Sequence, residues 1–210
     1  MLVTGPWLRL TSSKAPAAEA QKSVGRGLRG QPHWGIDPRD PLMTSSPVVS
    51  IHPIGVIRSL HRAAQGTPIQ PTYAADSEGD VIVAPVFEAA LADIDGFERI
   101  WLLYWFDRAG AFQPRVVPYR DTRERGLFAT RAPCRPNAIG MSVVRLIARE
   151  RNVLRVNGVD ILDETPLLDI KPYVPSFDAH PGSAAGWLDR VSEDRRTADG
   201  RFHGPDAPVR

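Results

Sequence analysis

The sequence holds a single cysteine, Cys134, in 210 residues. That excludes an internal disulfide and is compatible with a reducing compartment. It has no apolar run of 18 residues, so no membrane span is expected. Its first residues lack an apolar stretch long enough for the core of a secretory leader. The five histidines, at 33, 52, 61, 180 and 203, stand at no metal-ligand spacing, and no metal is expected. These absences together point to a soluble cytoplasmic protein.

What the chain has in plenty is proline and locally clustered arginine. Twenty prolines argue for many turns. Between Arg115 and Arg155 lie ten arginines, no lysine and three acids, a local charge of +7. Such a segment raises the local concentration of phosphate polyanions and points towards nucleic acid; the alternative is a solvated strand-and-loop face. At the centre of this segment, Leu127–Leu146, two arginines and two prolines fall within Arg131–Pro136. Prolines remove backbone donors, so this piece is neither helix interior nor central strand. It reads as a rigid loop between strands, at Gly126–Thr130 and Ala138–Arg149. Guanidiniums fixed in such a loop suit anionic or planar polar ligands, though a plain strand connection with solvated arginines fits as well.

Residues 1–48 are rich in Pro, Gly, Ser, Ala and basic residues, with no sustained period, and are expected to form a disordered or weakly ordered extension. Met43 is a candidate true start. Gly25–Gly30 fits G-x-G-x-x-G but lacks a strand before it and a helix after it, so it is not a dinucleotide fingerprint. From Ile51 to Ile57 the pattern reads as an edge or bulged strand, given Pro53 and Gly55. Asp80–Val86 reads as a strand and Phe87–Ile94 as a short helix ended at Gly96. Phe97–Phe106 is the most apolar stretch and reads as a central strand whose aromatics belong to the core. Ala109–Arg125 reads as a loop, Glu150–Asn152 as a turn, and Val153–Val159 and Leu167–Tyr173 as strands. A short helix is expected within Ala184–Val191. Six or seven short strands with many turns predict an all-β barrel or sandwich. The expected boundaries are an extension at 1–48, a domain at 49–180 and a tail at 181–210.

Two long motifs, Ala129–Ser142 (ATRAPCRPNAIGMS) and Leu162–Tyr173 (LDETPLLDIKPY), closely resemble those of the TsaA-like family of tRNA methyltransferases. Ile54–Ile57, Thr67–Gln70 and Phe97–Arg108 match the same family in order and spacing, so the resemblance covers about residues 50–178. It implies a small β-barrel that binds S-adenosylmethionine, works as a homodimer and methylates N6 of threonylcarbamoyladenosine beside the tRNA anticodon. The implied cofactor contacts are Pro68, Ile69, Gln70, Asp107, Arg108, Arg131, Met141, Ile161, Leu162, Asp163, Glu164 and Thr165. Arg135, Asn137, Lys171 and Tyr173 match the motif residues on the tRNA side. The chain departs from the family at Ile69, often arginine, and at Asp107-Arg108, often histidine and a polar residue. It departs again at Ala138, usually proline, and at Glu164, often glycine. These changes leave open another RNA or a small molecule as acceptor, or a barrel that binds cofactor or RNA without turnover.

Removing the proton from a conjugated N6 nitrogen should help it attack a methyl group, and Asp107, Asp160, Asp163 and Asp169 are all candidate bases; a carboxylate could equally stabilise the sulfonium or bind ribose hydroxyls, so the sequence names no catalytic residue. Arg131 or Arg108 would suit the cofactor's carboxylate. Tyr119 or Tyr173 are candidates to stack on a splayed RNA base.

Overall fold

The computed structural model describes residues 49–192 and 194–204. The expected N-terminal extension, including Met43, lies outside the described residues. Six antiparallel strands form a closed barrel in the order β1 (Gly55–Ser59), β2 (Glu78–Val83), β7 (Val153–Asn157), β6 (Ile139–Glu150), β3 (Arg99–Trp105) and β8 (Thr165–Pro172), with β8 returning to β1. The remaining strands, β4 (Arg115–Val116) and β5 (Arg125–Gly126), make a separate two-residue pairing. One α-helical turn, α1, spans Pro175–Asp178. Among the described residues no helix is long and apolar enough to cross a membrane.

The barrel follows from two-residue periodicity. On β3, Ile100, Leu102 and Tyr104 are buried, while Trp105 is 48% exposed. On β6, Gly140, Ser142 and Val144 point the same way. Ile57, Val81, Leu154, Val156 and Leu167 complete the core, and each such side chain contributes about 1.5–3 kcal/mol by leaving water. Closure leaves no strand edge. Gly140 faces Tyr104 across the β3–β6 ladder, and a Cβ there would collide with the tyrosine ring, so the ring lies flat across that position.

Five local expectations are corrected. β1 is paired on both sides rather than an edge strand, and Pro53 precedes it, where a missing donor costs nothing. Leu127–Ala129 is a 3₁₀ turn rather than a strand. Only Leu127 is buried there, Phe128 is 76% exposed, and Thr130 closes the turn by donating from its amide and its hydroxyl to Leu127 O. Pro85–Leu91 is likewise 3₁₀ instead of α-helix, as is Gly186–Arg190. The expected loop Ala109–Arg125 contains β4.

A second apolar cluster lies beside the barrel: Val116, Leu127, Ala132, Cys134 and Phe202, with Phe112 and Tyr119 against it. Phe202 comes from a segment whose composition is that of a polar tail. Residues 194–203 run as a strap along the protein. Gly66 N donates to Ala198 O (3.0 Å), Ala198 N to Thr67 O (2.7 Å), Ile69 N to Arg196 O (3.0 Å) and Gly110 N to Phe202 O (2.9 Å). The Asp199 carboxylate accepts from Arg195 (2.6 Å) and from the amide (3.0 Å) and guanidinium (2.6 Å) of Arg201, which holds it down at about 2.

Candidate functional site

A cavity of about 260 Å³ opens where the end of β3, the start of β6, the β7–β8 connection, the 64–70 loop and the strap meet. Of the residues expected to bind cofactor, Pro68, Ile69, Gln70, Asp107, Arg108, Arg131, Met141, Ile161, Leu162 and Thr165 all line it. So does Arg135, expected on the tRNA side. Arg131–Pro136 is neither helix nor strand, and its arginines tie it down. Arg135 Nη1 donates to Thr130 O (3.0 Å), and its guanidinium lies 5.5 Å from the Phe128 ring centre. Arg131 Nη1 donates to Gln70 Oε1 (2.7 Å), tying the loop to the opposite wall. Arg108 is braced between Asp107 (3.2 Å) and the Thr165 hydroxyl (2.8 Å).

Asp163 and Glu164 stand apart from this cavity. The Asp163 carboxylate accepts from Ser59 N (3.1 Å) and ties down the end of β1. With Glu164, Arg58, Arg62 and Arg108 it lines a second recess of about 170 Å³, where Arg58 binds Glu164 at 2.6 Å. Glu164 holds φ 63°, in the left-handed region that favours glycine. Asn137, Lys171 and Tyr173 are also outside the cavity. Asn137 is an exposed turn residue whose carbonyl accepts from Ile139 N (2.7 Å). Lys171 pairs with Asp169 at 2.8 Å, and Tyr173 packs against Trp101 with ring centres 6.0 Å apart. The arginine-rich segment is partly paired: Arg115, Arg125, Arg149 and Arg155 each face a carboxylate. Cys134 is fully buried and its thiol is pushed up by that burial, which leaves it a core residue.

The structure adds Tyr104, Phe106, Asp160, Ala198 and His203 to the cavity wall. Tyr104 was hidden inside an aromatic run that reads as core, and the strap residues inside a stretch without period. Asp160, one of four carboxylates open as a base, is singled out by its surroundings. It accepts a hydrogen bond from Ser142 Oγ (2.7 Å), whose oxygen is 3.1 Å from Tyr104 OH. Burial raises its carboxyl to about 7 against the lowering by Ser142 and Arg131. Burial, and then Asp160, raise the Tyr104 phenol well above its ordinary value, so it stays protonated. Burial pushes Tyr119 up to about 12, and its hydroxyl donates to Asp199 O at 3.0 Å. His203 is held below the ordinary imidazole range, first by burial and then by Arg108. Its Nδ1 is buried without a hydrogen-bond partner at the cavity wall.

The tRNA-methyltransferase O N-terminal domain family matches residues 56–179. The chain belongs to that family. A probable S-adenosyl-L-methionine-binding protein of Pyrococcus abyssi is 48% identical over 157 residues, 74% of this chain and 85% of that protein. Within the same family, the tRNA (adenine(37)-N6)-methyltransferase of Escherichia coli is 35% identical over 144 residues, 64% of this chain and 61% of that enzyme. The solved structure of TrmO from Pseudomonas aeruginosa superposes with a TM-score of 0.57 at 39% identity, covering 67% of this chain and 62% of that one. The chain thus spans less than two thirds of the length of the last two relatives. The family match stops at residue 179, short of the strap.

Proposed function

We propose that the protein is an S-adenosylmethionine-dependent methyltransferase acting on N6 of threonylcarbamoyladenosine next to the tRNA anticodon. One observation carries the reading: a single cavity gathers ten of the family-matched positions together with apolar walls, guanidiniums and carboxylates. The residues suit the cofactor. Ile69, Met141, Ile161, Leu162 and Phe106 offer apolar surface for a flat base. Arg131 and Arg108 would pair with a carboxylate, and Asp107 would accept from hydroxyl or ammonium groups. His203 Nδ1 offers one further buried partner. S-adenosylmethionine, when bound, supplies a methyl group whose bond to sulfur breaks with both electrons staying on sulfur. The protein's own share is to align acceptor and methyl and to exclude water, and positioning of this kind supplies much of a transfer rate.

We place Arg135, on the cavity rim, towards the splayed tRNA base, with Asn137, Lys171 and Tyr173 further out along the bound loop. The protein is expected to act as a homodimer, since Trp105, Ile139 and Met141 leave large apolar surface exposed on the adjacent strands β3 and β6. A free, buried thiol and a tRNA substrate agree with a cytoplasmic location. We assign the methyl-transfer domain to residues 49–180, with extensions at 1–48 and 181–210, the second of which carries the strap.

The test is calorimetric titration with S-adenosylmethionine, followed by transfer of labelled methyl to tRNA bearing threonylcarbamoyladenosine. Binding with incorporation at that nucleoside is expected. Binding with incorporation elsewhere would reassign the acceptor, and binding without any would make the barrel a sensor. Arg131→Ala should weaken cofactor binding by about 100-fold, the worth of a charge-assisted pair, while shifting thermal stability little because Arg131 is exposed.

A further inference from the structure

We propose that Asp160 is the catalytic residue that takes the proton from the acceptor nitrogen during methyl transfer, held for that task by Ser142 and Tyr104. The inference rests on the methyltransferase reading above and assigns the base that reading leaves open. The geometry is a three-member chain running from β3 through β6 to the β7–β8 connection. Ser142 Oγ gives its one proton to Asp160 Oδ1 at 2.7 Å. The same oxygen can therefore only accept from Tyr104 OH, 3.1 Å away, and the phenol keeps its proton because it is buried. Every donor in the chain points towards the carboxylate, which is therefore fixed in place and ready to accept. Both ends, Tyr104 and Asp160, face the cavity.

The competing carboxylates are engaged elsewhere. Asp163 holds the end of β1 from the other recess, Asp169 pairs with Lys171, and Asp107 braces Arg108. The charged or titratable groups bearing on Asp160 are Tyr104 from β3 and Arg131 from the proline-rich loop. Asp107, Arg108, Arg135 and His203 line the same cavity. In the step assigned here the N6–H bond breaks, the proton bonds to a carboxylate oxygen of Asp160, and the electron pair stays on nitrogen to form the bond to the methyl carbon. A base poised near 7 suits this task at neutral pH.

Linkage gives a readout that needs no cofactor. The folded protein holds the Asp160 proton up to about pH 7, whereas the unfolded chain loses it near the ordinary value of 3.8. The group's contribution to stability is therefore complete below about pH 4 and is lost as pH rises towards 7. Asparagine keeps an acceptor for Ser142 and carries no charge, so Asp160→Asn should match wild type in melting temperature near pH 4 and exceed it increasingly up to pH 8.

The experiment combines three measurements on full-length wild type, Asp160→Asn and Ser142→Ala. They are melting temperature against pH, S-adenosylhomocysteine affinity by calorimetry, and kcat for methylation of threonylcarbamoyladenosine-bearing tRNA from pH 5.5 to 9. Asp160→Asn should lose at least ~100-fold in kcat while still binding S-adenosylhomocysteine. Wild-type kcat should rise with pH to a plateau. Ser142→Ala removes a donor that lowers the carboxyl, so its rising limb should move to higher pH. The proposal is overturned if Asp160→Asn keeps kcat within about threefold of wild type, if the wild-type profile is flat, or if the melting-temperature gain does not grow with pH. Wild type that methylates no tRNA would overturn the functional reading, and this inference with it. Wild type that methylates while Asp160→Asn does too would overturn this inference alone.

Discussion

Ile100, Leu102 and Val144 are fully buried on strands that each have a backbone partner on both sides. The cavity's other wall is made of loops and a strap, beside a small apolar cluster. The barrel is held by a continuous hydrogen-bond ladder and area burial. The wall is held by the strap's few backbone bonds together with side-chain ties: Arg131 to Gln70, Tyr119 to Asp199, Trp187 Nε1 to Ala129 O at 2.8 Å. The difference teaches that the proposed reacting groups, Tyr104 and Ser142, sit on the hydrogen-bonded barrel, whereas Arg108, Arg131 and His203 reach the cavity from loops and the strap.

Three substitutions test this division. Leu102→Ala should remove about 4 kcal/mol of global stability by leaving a cavity in the barrel, read as a lowered midpoint in urea with unchanged slope. A loss under about 1 kcal/mol would mean the barrel core tolerates collapse and the contrast is false. Phe202→Ala should cost about 3 kcal/mol but only locally. Hydrogen exchange should speed up at the amides of Gly66, Ile69 and Gly110 and stay slow on β3 and β6. Equal acceleration on both sides would merge the two regions into one cooperative unit. The smallest effect is expected at Glu164, where relief of the left-handed backbone and loss of an exposed ion pair oppose each other. Glu164→Gly should change stability by no more than about 1 kcal/mol, measured by thermal melting. It should leave the cavity's affinity for S-adenosylhomocysteine unchanged, because the side chain belongs to the other recess.

The same division governs what could be read in advance. Barrel strands carry their own signal: the apolar, aromatic run of β3, the strand after the proline-rich loop at β6 and the turn at Glu150–Asn152 were legible, because buried strands are apolar runs bounded by turn residues. The partner order was not, since closure of β8 onto β1 joins residues more than a hundred positions apart. Motif residues located most of the cavity. Asp163 lies outside that cavity, and a carboxylate that ties down a strand end and one that binds a ligand look alike in sequence. The relay was concealed because Tyr104 and Ser142 occupy inward strand positions that ordinarily hold core side chains. The strap left no trace, since its hold on the protein is a run of backbone bonds that any residue can make.

That strap sets an order of assembly. Every barrel strand has been synthesised by Pro172, yet one wall of the cavity arrives only with Ala198 to His203. On the ribosome the barrel is complete before its site is. Loss of the chain beyond the exposed stretch 179–186 would leave all six strands in the sequence and take Ala198 and His203 from the cavity wall.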